Sequence, residues 1–406
     1  MNRVAKTGIA IGAASLAAAL AVIRTRNREP ALPLAPYDSA PTRILILGGG
    51  FGGLNVARSL AKRLARCEQA AIRLVDRSES MTFWPMVPEV MPGSIQAPHV
   101  VRPLREELSR AGVEYIHAEV LGADCTRRVV HTMAGDMTYD KLVIALGWQT
   151  AFFGTQGADA YAVTLESLAD AVAIRARVIK EFEAAAAGRP HNLRFVVVGG
   201  GSTGVEVAAS LADLVDILLG EYPGVAEDEV RIVVVQAQND VLPHMEQGLR
   251  DVAAQRLRKD RIELRLHARV QTVDAGGVQL SDGVRISGAT VIWTAGVEAN
   301  RVARKLSGVP LDSHGRVLVD HQLRVSGLRG VYALGDVAAA TSDGRPVSPT
   351  AQAAVQEAET VAANIAAEVA GGASLEFRYH DLGRLVELGG RFAVSEVSGV
   401  RLSGWT

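Results

Sequence analysis

The sequence predicts an α/β fold in which one strand, turn and helix unit occurs twice. A short apolar run, Ile44–Leu47, is followed by glycines at G-x-G-x-x-G spacing and then by apolar residues at helical spacing. A second run, Phe195–Val198, is followed by the same glycine pattern, 151 residues after the first. Short, fully apolar strands are typical of parallel sheets that are covered on both faces. The two units are therefore interpreted as Rossmann-like dinucleotide-binding domains.

The glycines of the first unit have separate physical tasks. The first permits a tight turn, the second lets the backbone approach a pyrophosphate, and the third lets the helix pack closely on the strand. The phosphates then lie at the positive end of the helix. The following strand, Ile72–Val75, ends in Asp76, an acid that can bind ribose hydroxyls. A flexible loop is the alternative interpretation. The loop residues predicted to contact the dinucleotide are Gly48, Gly50, Phe51, Gly52 and Gly53.

The second unit repeats this arrangement with one difference. Its glycines are Gly199, Gly201 and Gly204, and Glu206 follows in the helix. The partner strand ends in Gln236, where an acid is expected. Two dinucleotide sites in one chain bring two redox carriers together, so hydride transfer between them is the predicted use. The alternative is one working site and one structural copy.

Composition excludes several other classes of function. Lys and Arg total 43 against 44 for Asp and Glu, and no basic stretch suggests nucleic-acid binding. The two cysteines, Cys67 and Cys125, lie far apart, which excludes the redox-active pair of a disulfide reductase. The nine histidines have no metal-ligand spacing, so no metal site is predicted.

An uncharged run at the N-terminus, Thr7–Ile23, predicts an apolar helix. At 17 residues it would span about 26 Å, slightly less than the hydrocarbon core of a bilayer. A membrane anchor, a signal peptide and a transit peptide are the open alternatives. As an anchor, the run would keep the basic residues Arg24, Arg26 and Arg28 and the catalytic body on the cytoplasmic side.

Two further segments are candidates for the site. The apolar loop Met81–Gly93 is interrupted by prolines and cannot form a regular helix. Ser348–Val369 predicts a long helix capped by Ser348. Gln352 and Gln356 share one face of this helix. Without further evidence, two glutamines at this spacing usually form a solvent-exposed polar face.

These motifs together resemble the type II NADH:quinone oxidoreductase family. The similarity covers nearly the whole chain from Arg43 to Trp405. The markers are GGGFGGL at Gly48, FWPMVPEV at Phe83, GGGSTGVE at Gly199, VIWTAGV at Val291, LGD at Leu334 and TAQAAVQEAE at Thr350.

The resemblance implies FAD on the first unit and NADH or NADPH on the second. It also implies that Asp336 binds the flavin's ribityl or phosphate oxygens and that Glu206 orients the nicotinamide half. Gln352 and Gln356 are expected to contact a quinone of the menaquinone or ubiquinone type. The further residues expected to bind a cofactor are Arg77, Val120, Gly147, Gly296, Gly335 and Ala351.

Three departures from the family pattern affect these expectations. Gln236 replaces an acid, which predicts activity with both NADH and NADPH. Leu146 stands where related flavoproteins carry Thr, so a side-chain hydrogen bond is not expected there. The family's C-terminal amphipathic membrane helices have no counterpart before Thr406. Anchoring by the N-terminal run, reduced membrane contact and a truncated sequence are the three explanations.

The expected protein is thus a non-proton-pumping NAD(P)H:quinone oxidoreductase on the cytoplasmic side of the cell membrane, or on the mitochondrial inner membrane. A homodimer is compatible with this expectation. The rivals are a ferredoxin-reductase-like enzyme with a protein acceptor and a slowly turning over NAD(P)H-binding regulatory flavoprotein. The second unit is expected to be inserted in the first. The predicted segments are an apolar segment 1–28, a linker 29–42, an FAD domain 43–160 continued at 297–374, an NAD(P)H domain 161–296 and a C-terminal region 375–406.

Overall fold

A computed structural model of the protein describes residues 36–65 and 69–405. The predicted N-terminal apolar helix and the first part of the linker lie outside the described residues. Within the described part of the chain, no helix has both the length and the apolar composition that a membrane crossing requires.

The chain first builds most of the first unit. Its helices are α1 Phe51–Arg63 and α2 Leu104–Arg110. Its strands are β1 Thr42–Leu47, β2 Ala70–Asp76, β3 Ser80–Thr82, β4 Val101–Pro103, β5 Glu114–His117, β6 Val120–Asp124, β7 Val129–Thr132, β8 Gly135–Thr138, β9 Lys141–Ile144 and β10 Trp148–Thr150.

The second unit follows without interruption. Its helices are α3 Ala158–Tyr161, α4 Leu168–Ala186, α5 Ser202–Glu221 and α6 Gln247–Lys259. Its strands are β11 Arg194–Val198, β12 Arg231–Val235, β13 Ile262–Arg265, β14 Val270–Asp274, β15 Gly277–Leu280, β16 Arg285–Ser287 and β17 Thr290–Trp293.

The remainder of the chain returns to the first unit and then adds a small sheet. Its helix is α7 Ala351–Ala370. Its strands are β18 Val297–Ala299, β19 Leu306–Ser307, β20 Val331–Ala333, β21 Thr341–Ser342, β22 Arg345–Pro346, β23 Arg384–Glu387, β24 Phe392–Val397 and β25 Val400–Trp405.

Two parallel sheets form the frame of the molecule, as the sequence predicts. The sheet of the first unit has the order β20-β9-β1-β2-β5, and that of the second has the order β13-β12-β11-β17. Strand β20 comes after the whole second unit in the chain but pairs with β9 in the first. The second unit is therefore inserted in the first, and the predicted α/β class with parallel sheets is confirmed.

The apolar runs of the sequence form the centre of each sheet. Ile44–Leu47 and Phe195–Val198 are buried, with helices covering their sheets. Three-stranded antiparallel sheets fill the crossovers: β14-β15-β16 lies in the second unit and β6-β7-β8 in the first, where β19 joins it.

Helix α7 starts later than the sequence analysis expected. Thr350, not Ser348, is its N-cap, because the Thr350 hydroxyl accepts a hydrogen bond from the Ala353 N–H at 3.2 Å. Residues 348 and 349 therefore belong to the preceding loop. The free N–H groups at the start of the helix consequently lie at Ala351 and the residues next to it.

The C-terminal segment joins the two units. The small sheet β23-β24-β25 packs its buried residues Val386 and Val394 into the core of the second unit. The segment leading to this sheet is fixed to α7 of the first unit by Asn364, whose side chain is 0% exposed. The Asn364 amide donates to the Gln322 and Leu375 carbonyls and accepts from the Leu375 N–H.

Replacing Asn364 by Leu should lower the free energy of unfolding by about 3 kcal/mol, because three backbone groups lose their hydrogen bonds to this buried side chain. Urea unfolding of the flavin-loaded protein measures this loss. The matched control is Asn192→Leu, since the Asn192 side chain accepts only a local bond from the Arg194 N–H at the surface. Equal effects of the two substitutions would contradict the structural role given to Asn364.

Candidate active site

The first glycine loop brings two stretches of backbone into direct contact. Gly48 has φ of +102°, and a Cβ there would lie 2.2 Å from the Ala145 carbonyl oxygen. A Cβ on Gly53 would lie 1.8 Å from the Gly48 carbonyl oxygen. Only glycine fits at these two positions, because the loop, the strand end and the helix start occupy the same small volume.

The middle glycine of the same loop faces open space. Gly50 is the N-cap residue of α1 and has no atom within 4 Å of the position of a Cβ. The helix N-terminus there carries no side-chain cap, so its N–H groups are available to an anion. Phe51 packs edge-on against Phe83 of the Pro-rich loop at 5.6 Å, and Gly52 lies under the Leu334 side chain.

Asp76 is bonded to the glycine loop itself. One carboxylate oxygen accepts from the Gly49 N–H at 2.5 Å, and the other accepts from the Ser78 N–H at 2.6 Å. The carboxylate is thus held at the carboxyl end of β2, beside the place for a diphosphate. Arg77 is exposed at the same edge, and Val120 is buried in β6.

The second glycine loop has the same construction. Gly199 has φ of +113° and lies against the backbone of Ala295, while a Cβ on Gly204 would lie 1.9 Å from the Gly199 carbonyl oxygen. Gly201 faces open space at the start of α5. The duplicated unit is therefore retained in detail at the second site.

Gln236 occupies the position that Asp76 has in the first unit. Its side chain is 8% exposed, and its Oε1 accepts from the Gly200 N–H at 3.3 Å. Its Nε2 donates to the Asp240 carbonyl at 3.2 Å. The amide is therefore fixed against the glycine loop by bonds at both of its ends.

A two-stranded ribbon connects the units at their shared boundary. Strands β10 and β18 pair antiparallel, and they are the two passages of the chain between the units. Asn300 reinforces this crossing, because its backbone N–H donates to the Gly147 carbonyl at 3.1 Å and its side chain donates to the Leu146 carbonyl at 3.2 Å.

Aromatic residues pack at the same crossing. The Trp293 indole donates to the Ala151 carbonyl at 2.9 Å, and the Trp293 ring packs on Phe152. Phe153 has φ of +50° and is 69% exposed, with its ring directly over Gly296. A cavity of about 820 Å³ opens here; its lining includes Trp148, Phe152, Phe153, Glu298, Asp336 and Pro349.

Two acids lie together beneath this cavity. Burial raises the pKa of Asp336 to about 6, and among the described residues its carboxylate meets no hydrogen-bond donor. Glu357 of α7 is 2% exposed and accepts from the Gly335 N–H. Burial, and then the charge of Asp336, raises the pKa of Glu357 to about 7. The sequence analysis missed Glu357, because a single acid in an Ala-rich helix gives no signal of burial.

Glu206 also carries a raised pKa. Burial raises this pKa to about 8, together with the negative charge of Glu387 and, to a smaller extent, that of Glu89, while a hydrogen bond with the Glu387 backbone lowers it. The pKa of Glu89, on the Pro-rich loop, is raised to about 7 by burial and by Glu387. At pH 7 the Glu206 side chain is therefore mainly a neutral acid, which can donate a hydrogen bond.

Gln352 and Gln356 both bind the C-terminal segment. The Gln352 amide donates to the Gly383 carbonyl and accepts from the Leu382 N–H, each at 3.0 Å. The Gln356 amide bonds both the N–H and the carbonyl of His380 at 2.9 Å. The two glutamines thus hold residues 380–383 against the first half of α7, a role that the sequence analysis did not foresee. Their predicted contact with a quinone stays a prediction.

The arrangement fits two dinucleotides. Each open glycine, Gly50 and Gly201, offers a helix N-terminus for a diphosphate, and Asp336 offers a carboxylate without a protein partner. No group of His, Cys, Asp or Glu suited to a metal ion occurs in residues 36–65 and 69–405. Within the same ranges Cys125 is a buried free thiol, and Cys67 lies outside them.

Comparisons with known proteins show the family of the chain. The profile of the family described as pyridine nucleotide-disulphide oxidoreductase matches residues 42–358. A type II NADH:quinone oxidoreductase of Mycobacterium tuberculosis is 35% identical over 384 residues, which cover 89% of this chain and 81% of that protein. A type II NADH:quinone oxidoreductase of Staphylococcus aureus is 29% identical over 89% of this chain and 91% of its own length.

A solved structure shares the fold. NDH2 from Plasmodium falciparum in complex with NADH superposes with a TM-score of 0.81 at 22% identity. The alignment covers 90% of this chain and 92% of that one. The fold is therefore shared over most of both chains.

Substitutions in the two glycine loops should weaken the binding of the two dinucleotides separately. Gly50→Ala should leave the protein folded but weaken FAD retention by roughly tenfold or more, since a methyl group enters the space for the phosphates. Gly201→Ala is the matched control: it should retain flavin and bind nicotinamide dinucleotide more weakly. Flavin absorbance per protein chain measures retention. Gly53→Ala should instead prevent folding, and a stable, flavin-loaded Gly53→Ala protein would contradict the close packing described.

Glu357 predicts a pH-dependent stability. Because its pKa in the folded protein is raised, the neutral form is favoured by folding, and this contribution is lost as pH rises from about 4.5 through about 7. Glu357→Gln keeps an acceptor for the Gly335 N–H but cannot ionise. The variant should gain up to about 3 kcal/mol relative to the wild type between pH 5 and pH 8. Thermal unfolding across this range measures the difference, and a constant difference would contradict it.

Proposed function

The chain belongs to the pyridine nucleotide-disulphide oxidoreductase family and, within it, to the type II NADH:quinone oxidoreductases; from this premise we propose how its residues perform the reaction. The protein is an FAD-dependent oxidoreductase that takes electrons from a nicotinamide dinucleotide and passes them to a quinone. The resemblance that the sequence motifs indicate is thereby confirmed. The duplicated glycine loop with an open second glycine is the observation that carries the proposed assignment.

FAD would be held by the first unit. The glycine loop at Gly48 would take the diphosphate, Asp76 the ribose hydroxyls and Val120 the adenine. Asp336, whose carboxylate has no donor among the described residues, would accept hydrogen bonds from the ribityl hydroxyls. When bound, FAD supplies the redox chemistry: it accepts hydride and returns two electrons to the acceptor. The N-terminus of α7 at Ala351 would favour negative charge on the flavin ring.

The nicotinamide dinucleotide would bind the second unit. Its diphosphate would lie on Gly199 and Gly201, its ribose at Gln236 and its nicotinamide half near Gly296. Glu206 holds a proton at neutral pH because of its raised pKa. A neutral acid can donate to the carboxamide oxygen of the nicotinamide without placing a negative charge beside the ring. Glu206 would therefore orient the nicotinamide half, with Phe153 covering Gly296 at the crossing.

The acceptor would bind beside the first half of α7. Gln352 and Gln356 hold residues 380–383 there, and uncharged amides admit an apolar quinone ring without the desolvation cost of Lys or Glu. Residues 85–87 of the Pro-rich loop would form the opposite wall. A menaquinone or ubiquinone head group with two carbonyls fits such a lining of amide and backbone donors.

The C-terminal sheet would lie toward the membrane surface. The sheet and the residue two places before it expose large apolar side chains, and Trp405 is 77% exposed; the others are Leu385, Val400 and Leu402 in the sheet and Leu382 before it. With the N-terminal apolar run as a second attachment, the catalytic body would lie on the cytoplasmic side of the cell membrane. In a mitochondrion the corresponding place is the inner membrane. A homodimer is compatible with this attachment.

Replacing both Gln352 and Gln356 by Ala should slow reoxidation of the flavin by quinone by about tenfold, with reduction by NADH nearly unchanged. The reason is that the acceptor wall at residues 380–383 loses four hydrogen bonds, each worth about 1 kcal/mol or somewhat less at this partly exposed site. Stopped-flow absorbance separates the two half-reactions.

The matched control is Gln279→Ala, because the Gln279 amide also bonds a backbone carbonyl, that of Gly283, but in the antiparallel sheet of the second unit. This control should change neither half-reaction. Equal slowing of both half-reactions in the double variant, or slowing of flavin reduction alone, would place the acceptor site elsewhere.

A further inference from the structure

The duplication extends beyond the glycine loops to the strand that follows the ribose position. In the first unit β5 leads through Ala118-Glu119 into Val120, and in the second unit β13 leads through Leu266-His267-Ala268-Arg269 into Val270. Both segments connect a parallel strand to the first strand of an antiparallel sheet, β6 or β14. The two segments therefore occupy equivalent places in the two units.

Backbone hydrogen bonds confirm this equivalence. The Ala118 N–H donates to the Asp76 carbonyl at 2.9 Å, and the Ala268 N–H donates to the Gln236 carbonyl at 2.9 Å. Each segment is thus fixed directly beside the residue that ends the second strand of its unit. Glu119 and Arg269 directly follow these alanines in the sequence, so each lies at that edge of its unit.

The charges at equivalent positions differ between the units. The first unit has the acids Asp76 and Glu119, and the second has Gln236 and Arg269 in their places. Arg77 of the first unit is matched by the uncharged Ala237. The absence of an arginine at position 237 makes the second site less positive, but the other two differences outweigh it, so the second site is more positive than the first. FAD has free hydroxyls on its adenosine ribose, which suits the acidic site.

The basic side chains of the second site are accessible. Arg265, His267 and Arg269 are all exposed. Their segment is hydrogen-bonded to the residues after Gln236, because the His267 N–H donates to the Gln238 carbonyl at 3.0 Å. Arg265 is paired with Glu263. Within residues 36–65 and 69–405, the Arg269 guanidinium has no ion-pair or hydrogen-bond partner.

We propose that Arg269, supported by His267 and Gln236, binds the 2′-phosphate of NADPH, so that the second unit prefers the phosphorylated dinucleotide. This inference rests on the proposed function of that unit. A guanidinium offers two parallel N–H donors to phosphate oxygens, and the amide of Gln236 removes the repulsion that a carboxylate would exert. The fold supplies Arg269 from the segment between β13 and β14, away from the residues that directly follow Gln236 in the sequence.

The test uses two small probes on the flavin-loaded protein, adenosine 2′,5′-bisphosphate and adenosine 5′-monophosphate. Isothermal titration calorimetry gives both dissociation constants without any redox turnover. The wild type should bind the bisphosphate about tenfold or more tightly than the monophosphate, and raised salt should reduce this preference. Arg269→Glu should abolish the preference, and Arg269→Lys should retain part of it.

The matched control is Arg127→Glu, an exposed arginine on the antiparallel sheet of the first unit. It should leave both dissociation constants unchanged. Equal binding of the two probes by the wild type, or an unchanged preference in Arg269→Glu, would overturn the inference. Steady-state kcat/KM values for NADPH and NADH should follow the same pattern, with NADH little affected. A protein that binds the bisphosphate through Arg269 but reduces no quinone would refute the proposed acceptor and leave this inference intact.

Discussion

The structure depends on the contact of backbone with backbone at each glycine loop. Gly48 lies on the Ala145 carbonyl and Gly199 on the backbone of Ala295, with no room for a side chain at either place. This contact fixes the start of a helix directly above the end of a strand, and it therefore sets where a diphosphate can lie. The second strand of each unit then delivers Asp76 or Gln236 to the same edge. Every other group in the site is arranged around these two edges.

Acids with raised pKa values lie where the units and the C-terminal segment meet. Glu206 of the second unit and Glu89 of the Pro-rich loop have the raised pKa values there, and the negative charge of Glu387 in the C-terminal sheet contributes to both. Asp336 and Glu357 form a second group in the first unit. Neutral carboxylic acids are favoured in such places, because several negative charges cannot be buried together at low cost. The site is consequently rich in groups that hold protons near neutral pH, without any histidine among them.

Local patterns were sufficient to predict the frame and the glycine loops. Apolar runs, glycine spacing and the residue after the second strand are neighbours in sequence, so their meaning does not require the fold. The bonds of Gln352 and Gln356 to residues 380–383 could not be predicted, since they join segments that no periodicity relates. Burial of Glu357 and the crossing bond of Asn300 were missed for the same reason. The start of α7 was misplaced because Ser348 and Thr350 are both good caps, and only tertiary packing selects between them.

The insertion of one unit in the other has a consequence for biosynthesis. The elements of the second unit are continuous in the chain from Ala158 to Trp293, so its four-stranded sheet is complete before β20 is made. The first sheet cannot be completed until β20 is made, and Asp336 and Glu357 follow still later. During synthesis all four strands of the second sheet are therefore made while the first sheet still lacks its edge strand β20. Flavin capture through Asp336 is consequently expected only after most of the chain has been made.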